Sequence, residues 1–202
     1  MLSTGAWYAE RVLLQPATDR GCLLRRPLVL TGGPAAGKTT TGRTLAERLS
    51  RAAFIDVDDV RQLVVAGHEW LGPEGDAQRA LGVMNAAALA RGFLRAGFDV
   101  AIADVVTPAT ARIYRDELPT CLLVHLVIGV DEAQHRTAGR HNWITDAEFT
   151  ELHRLDASSP PAVDQRLDVS GLSAGAQQEA VEDLWAAAAA GWSKPVAGQA
   201  EQ

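Results

Sequence analysis

Pro27-Leu28-Val29-Leu30-Thr31, followed directly by Gly32-Gly33-Pro34-Ala35-Ala36-Gly37-Lys38-Thr39, decides the fold. The first five residues are a short apolar run of the kind a buried parallel strand takes. The next eight match G-x-x-x-x-G-K-[ST] in full, and Lys38 to Leu49 has helical spacing through Leu45 and Leu49. In a strand, glycine-rich turn and helix of this kind, successive backbone N–H groups curl around phosphate oxygens. Gly32 and Gly37 permit the backbone angles that this requires, and the helix start adds the positive end of its dipole. The motif places Lys38 on the β- and γ-phosphates of ATP and the Thr39 hydroxyl on Mg²⁺. The expected nucleotide site is therefore Gly32, Gly33, Pro34, Ala35, Ala36, Gly37, Lys38, Thr39 and Thr40. Lysine is scarce in this chain: Lys38 and Lys194 stand against 17 arginines, so Lys38 is no generic solubilising charge.

The alternation of short apolar runs with helical segments continues outward. Ala53 to Asp58 reads as a second strand ending in acid, followed by a helix through Val60, Leu63 and Val64. Residues 67–76 read as a loop. Asp76 to Ala96 reads as a long helix, apolar at Leu81, Met84, Ala88, Leu89 and Phe93 and closed by Gly97. Phe98 to Ala103 is a third strand ending at Asp104, and Pro108 to Leu118 a short helix. Cys121 to Ile128 is the most apolar run and the best candidate for a central strand. Arg166 to Val169 makes a fifth strand, and Ser173 to Ala190 a closing helix with Ser173 as its N-cap. Five strands alternating with helices imply an α/β, five-stranded parallel sheet covered on both faces, with ligands at the carboxyl ends of the strands. The expected organisation is an extension over residues 1–26 in which Trp7 to Leu14 could form an amphipathic helix, a domain over 27–190 and a frayed tail over 191–202.

Two acidic strand ends fall on the edge that carries the phosphate loop. Phosphoryl transfer to an alcohol needs a carboxylate near the acceptor oxygen, to orient it and take its proton. Asp58 suits that role, and Arg61, one turn into the following helix, suits the holding of an acidic or polar acceptor. Asp56 points either into the cleft, toward a magnesium-bound water, or to the opposite face. Asp104, after Phe98 to Ala103, has the form of a Walker B carboxylate that serves the metal or the acceptor.

These residues together resemble the P-loop kinases of small molecules: adenylylsulfate kinase, shikimate kinase and chloramphenicol phosphotransferase. In them the phosphate loop is followed about twenty residues later by an acidic D-x-D or V-D motif, as Asp56-Val57-Asp58 follows Gly32 to Thr39 here. Asp58 matches the carboxylate that those families use on the acceptor hydroxyl. Asp58 through Arg61 is similar to the D-x-x-R element of adenylylsulfate kinases, although Val57 stands where they carry glycine. The resemblance implies a P-loop NTPase fold and a mobile lid over about residues 131–156. It implies further that Arg136 and Arg140, four apart on one helical face, close over the transferring phosphate. It also implies adenine bound near Gly171-Leu172.

The function expected is ATP-dependent transfer of a phosphoryl group to a small-molecule hydroxyl, with an antibiotic, a nucleoside or nucleotide, or a sugar as acceptor. The rival is a nucleotide-dependent switch or ATPase with no acceptor. Trp143 and the Trp70 to Pro73 segment suit an acceptor pocket or ordinary packing equally. A net charge of −6 with no basic cluster argues against a nucleic-acid partner. No apolar run reaches the ~20 residues of a membrane span, and no secretory signal is visible, so the expected location is cytoplasmic. Cys22 and Cys121 lack metal-ligand spacing and read as inert thiols, and His135, His141 and His153 read as surface residues.

Overall fold

A computed structural model describes residues 26–69, 72–137 and 145–190. The elements alternate as the sequence expects: β1 (Leu28–Thr31), α1 (Lys38–Glu47), β2 (Ala52–Asp56), α2 (Val57–Arg61), α3 (Gly72–Arg95), β3 (Asp99–Ala103), α4 (Pro108–Glu117), β4 (Leu122–Val127), α5 (Val130–Thr137), α6 (Asp146–Ser158), β5 (Gln165–Asp168) and α7 (Ala174–Ala190). The five strands form one parallel sheet in the order β2-β3-β1-β4-β5. The phosphate-loop strand is thus central, with β3 and β4 on either side. The Trp7 to Leu14 segment, Cys22, Trp70, Arg140, His141, Trp143 and the 191–202 tail lie outside the described residues.

Alternation along the strands divides the core into two layers. Val29, Ile55, Val100, Ile102 and Leu123 face one way and are covered by Val57 and Val60 of α2, Val83, Ala86, Ala87 and Ala90 of α3, and Ala111 and Tyr114 of α4. Leu28, Leu30, Ala101, Val124 and Leu126 face the other way. They are covered by Leu45 of α1, Ala133 of α5, Phe149 of α6, and Val181 and Trp185 of α7. β4 is buried along almost its whole length, as expected for a central strand.

Three expectations are corrected. The second strand ends at Asp56, not Asp58, because the Asp56 carboxylate accepts the Asp58 N–H and starts a helix at Val57. The long helix begins at Gly72, so Pro73 occupies its first turn, where a missing N–H leaves no bond unmade. The face that α3 turns to the sheet is also not the one with the large apolar residues. Gly82, Val83, Ala86, Ala87 and Ala90 are buried, whereas Leu81, Met84, Ala88, Leu89 and Phe93 are exposed. A stripe of small side chains lets the helix lie close on β2 and β3; larger ones there would hold it off. Periodicity alone finds two stripes on α3 and cannot rank them.

Ala86→Leu is expected to destabilise the fold by about 1–3 kcal/mol through overpacking, and Met84→Gln by less than about 0.5 kcal/mol. Urea unfolding of the two variants checks this, and a reversed order would show that α3 packs through its other face.

Candidate active site

The phosphate loop leaves β1 through Gly32, whose φ of +140° belongs to glycine. A Cβ there would stand 2.2 Å from the Leu126 carbonyl oxygen, so the loop rests directly on the backbone of β4. At its other end Gly37 caps α1 with φ 88°. Between them Ala35 holds a left-handed φ of 59°, a conformation unusual for a side-chain-bearing residue. The Lys38 ammonium donates to the Gly32 and Gly33 carbonyls at 2.8 and 3.0 Å, folding back over the loop. The residue is part-buried but its ammonium is enclosed, and that enclosure lowers its pKa. The Asp58, Asp104, Asp156 and Asp56 carboxylates oppose the shift.

Two residues outside the motif support the loop. Gln177 of α7 donates from Nε2 to the Ala36 carbonyl and the Thr41 hydroxyl, at 2.8 and 3.0 Å. His153 of α6 donates from Nε2 to the Pro34 carbonyl at 3.0 Å. The carbonyl can only accept, so Nε2 carries the proton, and burial lowers the His153 pKa in favour of this neutral form. A Cβ on Gly33 would meet the His153 ring at 2.8 Å. The expectation that His153 is a surface residue is therefore wrong: the ring is buried, in a tilted contact with Phe149. One turn further along α6, Asp156 accepts from Nε2 of His125, a buried residue of β4 that is in register with Thr31 of β1. The sequence signal missed was the i, i+3 pair His153 and Asp156, which shares a helical face.

Opposite the loop lie the acidic side chains. The Thr39 hydroxyl donates to Asp56 at 2.9 Å, which places Asp56 in the cleft; burial raises its pKa, and the bonds from Thr39 and the Asp58 N–H oppose that. Asp58, in the first turn of α2, has a side chain 69% exposed and pairs with Arg61 at 2.8 Å. Asp104 is buried after β3. One of its oxygens accepts from Arg61 at 2.6 Å and from the Val105 N–H, and the other from the Tyr114 hydroxyl at 2.8 Å. Burial raises the Asp104 pKa despite these donors. Arg61 itself is pulled down by burial, but its two carboxylates more than offset that and its pKa is raised.

Arg136 does not reach the loop. Its guanidinium is bound to Glu132, to Gln177, and to the Val169 and Leu172 carbonyls. It pins the turn after β5, to which Glu132 also bonds through the Gly171 N–H. In this arrangement Arg136 makes no contact with the phosphate loop itself, and Arg140 lies outside the described residues. Cys121 is buried and in no disulfide, and its Sγ accepts from the Arg115 guanidinium at 3.9 Å.

No family model matches this chain, and no curated protein matches it in sequence. Solved structures do match. A sugar kinase from a Janibacter species aligns with a TM-score of 0.63 at 16% identity, over 82% of this chain and 96% of that one. The fold is that of the P-loop small-molecule kinases. A shikimate kinase from Acinetobacter baumannii, solved with shikimate, aligns at 0.53 and 22% identity over 78% of this chain and 90% of that one. The APS kinase of Mycobacterium tuberculosis, solved with AMPPNP and APS, aligns at 0.53 and 20% identity over 80% and 98%. At these identities the likeness is one of P-loop kinase fold. Among the described residues no helix is long and apolar enough to cross a membrane.

His153→Ala is expected to weaken ATP binding by up to about tenfold, the worth of one net hydrogen bond. Gly33→Ala should weaken it further in the parent than in the His153→Ala background, where the clashing ring is gone. Calorimetric titration with ATP reads both, and equal effects in the two backgrounds would show that the methyl meets something other than the imidazole.

Proposed function

We propose that this protein is an ATP-dependent phosphotransferase acting on a hydroxyl of a small molecule. The observation that carries the reading is the placement of Asp56 and Asp58 across from a complete phosphate loop, with Asp56 touching Thr39 of that loop. The kinase fold supports the same reading. Lys38 releases the loop carbonyls as phosphate oxygens arrive and places its ammonium on the β- and γ-phosphates. The Asp58 carboxylate lies on the acceptor side of the cleft and is exposed enough to meet an incoming hydroxyl. It takes the hydroxyl proton while the acceptor oxygen bonds to the γ-phosphorus and the bond from that phosphorus to ADP breaks. A buried Asp104 already accepting three donors is a positioning group: it holds Arg61, and through it Asp58.

The donor set also suits Mg²⁺. Among the described residues no three His, Cys, Asp or Glu side chains converge as a metal cage, but Thr39 and Asp56 offer a hydroxyl and a carboxylate oxygen beside the phosphate loop. That is how magnesium is usually held, with phosphate oxygens and waters completing the shell. Thr39 and Asp56 are assigned to it in preference to Asp104, whose oxygens are committed to Arg61, Tyr114 and Val105. When bound there, Mg²⁺ would supply charge neutralisation to the phosphates. The helices α5 and α6 fall in the segment assigned as lid, and a cytoplasmic location accords with a need for ATP.

Asp58→Asn should lower acceptor-dependent turnover by ~10²–10⁴ while leaving ATP affinity nearly intact, and Lys38→Ala should abolish transfer. Coupled ADP release over sugars, nucleosides and hydroxylated antibiotics is the assay. Near-normal turnover in Asp58→Asn would remove the base assignment, and hydrolysis indifferent to every acceptor would favour an ATPase or switch.

A further inference from the structure

The Gln177 amide is buried, and both of its polar atoms are committed. Nε2 donates to the Ala36 carbonyl and the Thr41 hydroxyl, and Oε1 accepts from Nη1 of Arg136 at 3.1 Å. The packing leaves little slack: a Cβ on Gly37 would stand 2.6 Å from Nε2. Which end of the amide faces which neighbour follows from the neighbours. A guanidinium can only donate and a backbone carbonyl can only accept, so Oε1 faces Arg136 and Nε2 faces Ala36. Turned over, the buried amide would set donor against donor at one end and acceptor against acceptor at the other.

Arg136 is itself held in place. Nη2 donates to Glu132 and to the Val169 and Leu172 carbonyls, and Nε donates to Glu132 as well. The other Glu132 oxygen accepts the Gly171 N–H. Nη1 is thus presented to Gln177 from a position set by α5 and the turn after β5. One line of contacts runs from that turn, through a guanidinium and an amide, to the Ala36 carbonyl of the phosphate loop. A trans peptide is planar with its N–H opposite its C=O, so fixing that carbonyl fixes the Gly37 N–H on the far side of the same plane. That N–H is one of the amides of the phosphate-loop motif.

We infer that Arg136 is a positioning residue for the phosphate loop, acting through the Gln177 amide and not by touching a ligand, a role that rests on reading that loop as the ATP site. The test is calorimetric titration of the full chain with MgATP and with magnesium tripolyphosphate, over Arg136→Met, Gln177→Met and the double variant. Arg136→Met is expected to weaken both ligands alike, by about threefold to tenfold, the worth of one net hydrogen bond. In the Gln177→Met background the same change is expected to cost less than about twofold, because the amide through which it acts is gone. A merely structural part for Arg136 would lower the urea midpoint and leave the affinity of the folded protein unmoved. Full additivity, an unchanged affinity in Arg136→Met, or a loss confined to ATP overturns the role of Arg136 while the ATP site stands. Arg136→Lys, which keeps the charge but not the forked donors, carries the same cycle if the methionine variant does not fold. A parent chain that binds neither ligand overturns the ATP site and the role of Arg136 with it.

Discussion

The backbone of the phosphate loop lies against the backbone of β4, and the rest of the site is arranged around that contact. Gly32 faces the Leu126 carbonyl with no space for a single methyl group, so the loop lies directly on the sheet. Side chains fix it from above: Gln177 ties the Ala36 carbonyl to α7, and His153 ties the Pro34 carbonyl to α6. A loop anchored at both ends and at two points between is held in one shape by the structure around it. Such preorganisation is what makes backbone amides effective against developing charge, because no reorientation has to accompany the reaction.

The acidic side of the cleft depends on a second constraint, the burial of Asp104. A carboxylate withdrawn from water must be matched by donors or lose its charge. Arg61, the Tyr114 hydroxyl and the Val105 N–H supply the match, and breaking such an arrangement by removing one partner typically costs about 3–5 kcal/mol. Arg61 is thereby held across the bare backbone of Gly82 and presents its remaining edge to Asp58. One buried carboxylate thus sets the position of a guanidinium, which sets the position of an exposed carboxylate, and α2, α3 and α4 meet at that point. The loop after β3 is tied back to β1 as well, through the Val106 N–H to the Thr31 hydroxyl.

Arg136 and His153 show that side chains take nearby partners that a motif-based reading does not see. Arg136 lies in the segment where lid arginines are expected, yet two carbonyls, a carboxylate and an amide within reach of its guanidinium hold it to the turn after β5. His153, with no motif around it, is the residue pressed on the phosphate loop.

The chain's own order of residues was enough for the architecture. Short apolar runs, a complete G-x-x-x-x-G-K-[ST] after the first of them, and helical spacing between the rest determine a parallel sheet with its phosphate-loop strand in a known relation to a helix, because these depend only on local backbone preference and periodic burial. The candidacy of Lys38, Thr39, Asp56 and Asp58 was legible for the same reason. Tertiary packing alone decided that β2 stops at Asp56, that α3 turns its small side chains inward, that Asp104 is occupied by Arg61 and Tyr114, and that α6 and α7 brace the loop. Each of these turns on which distant groups come within about 3 Å, and a linear pattern holds no record of that distance.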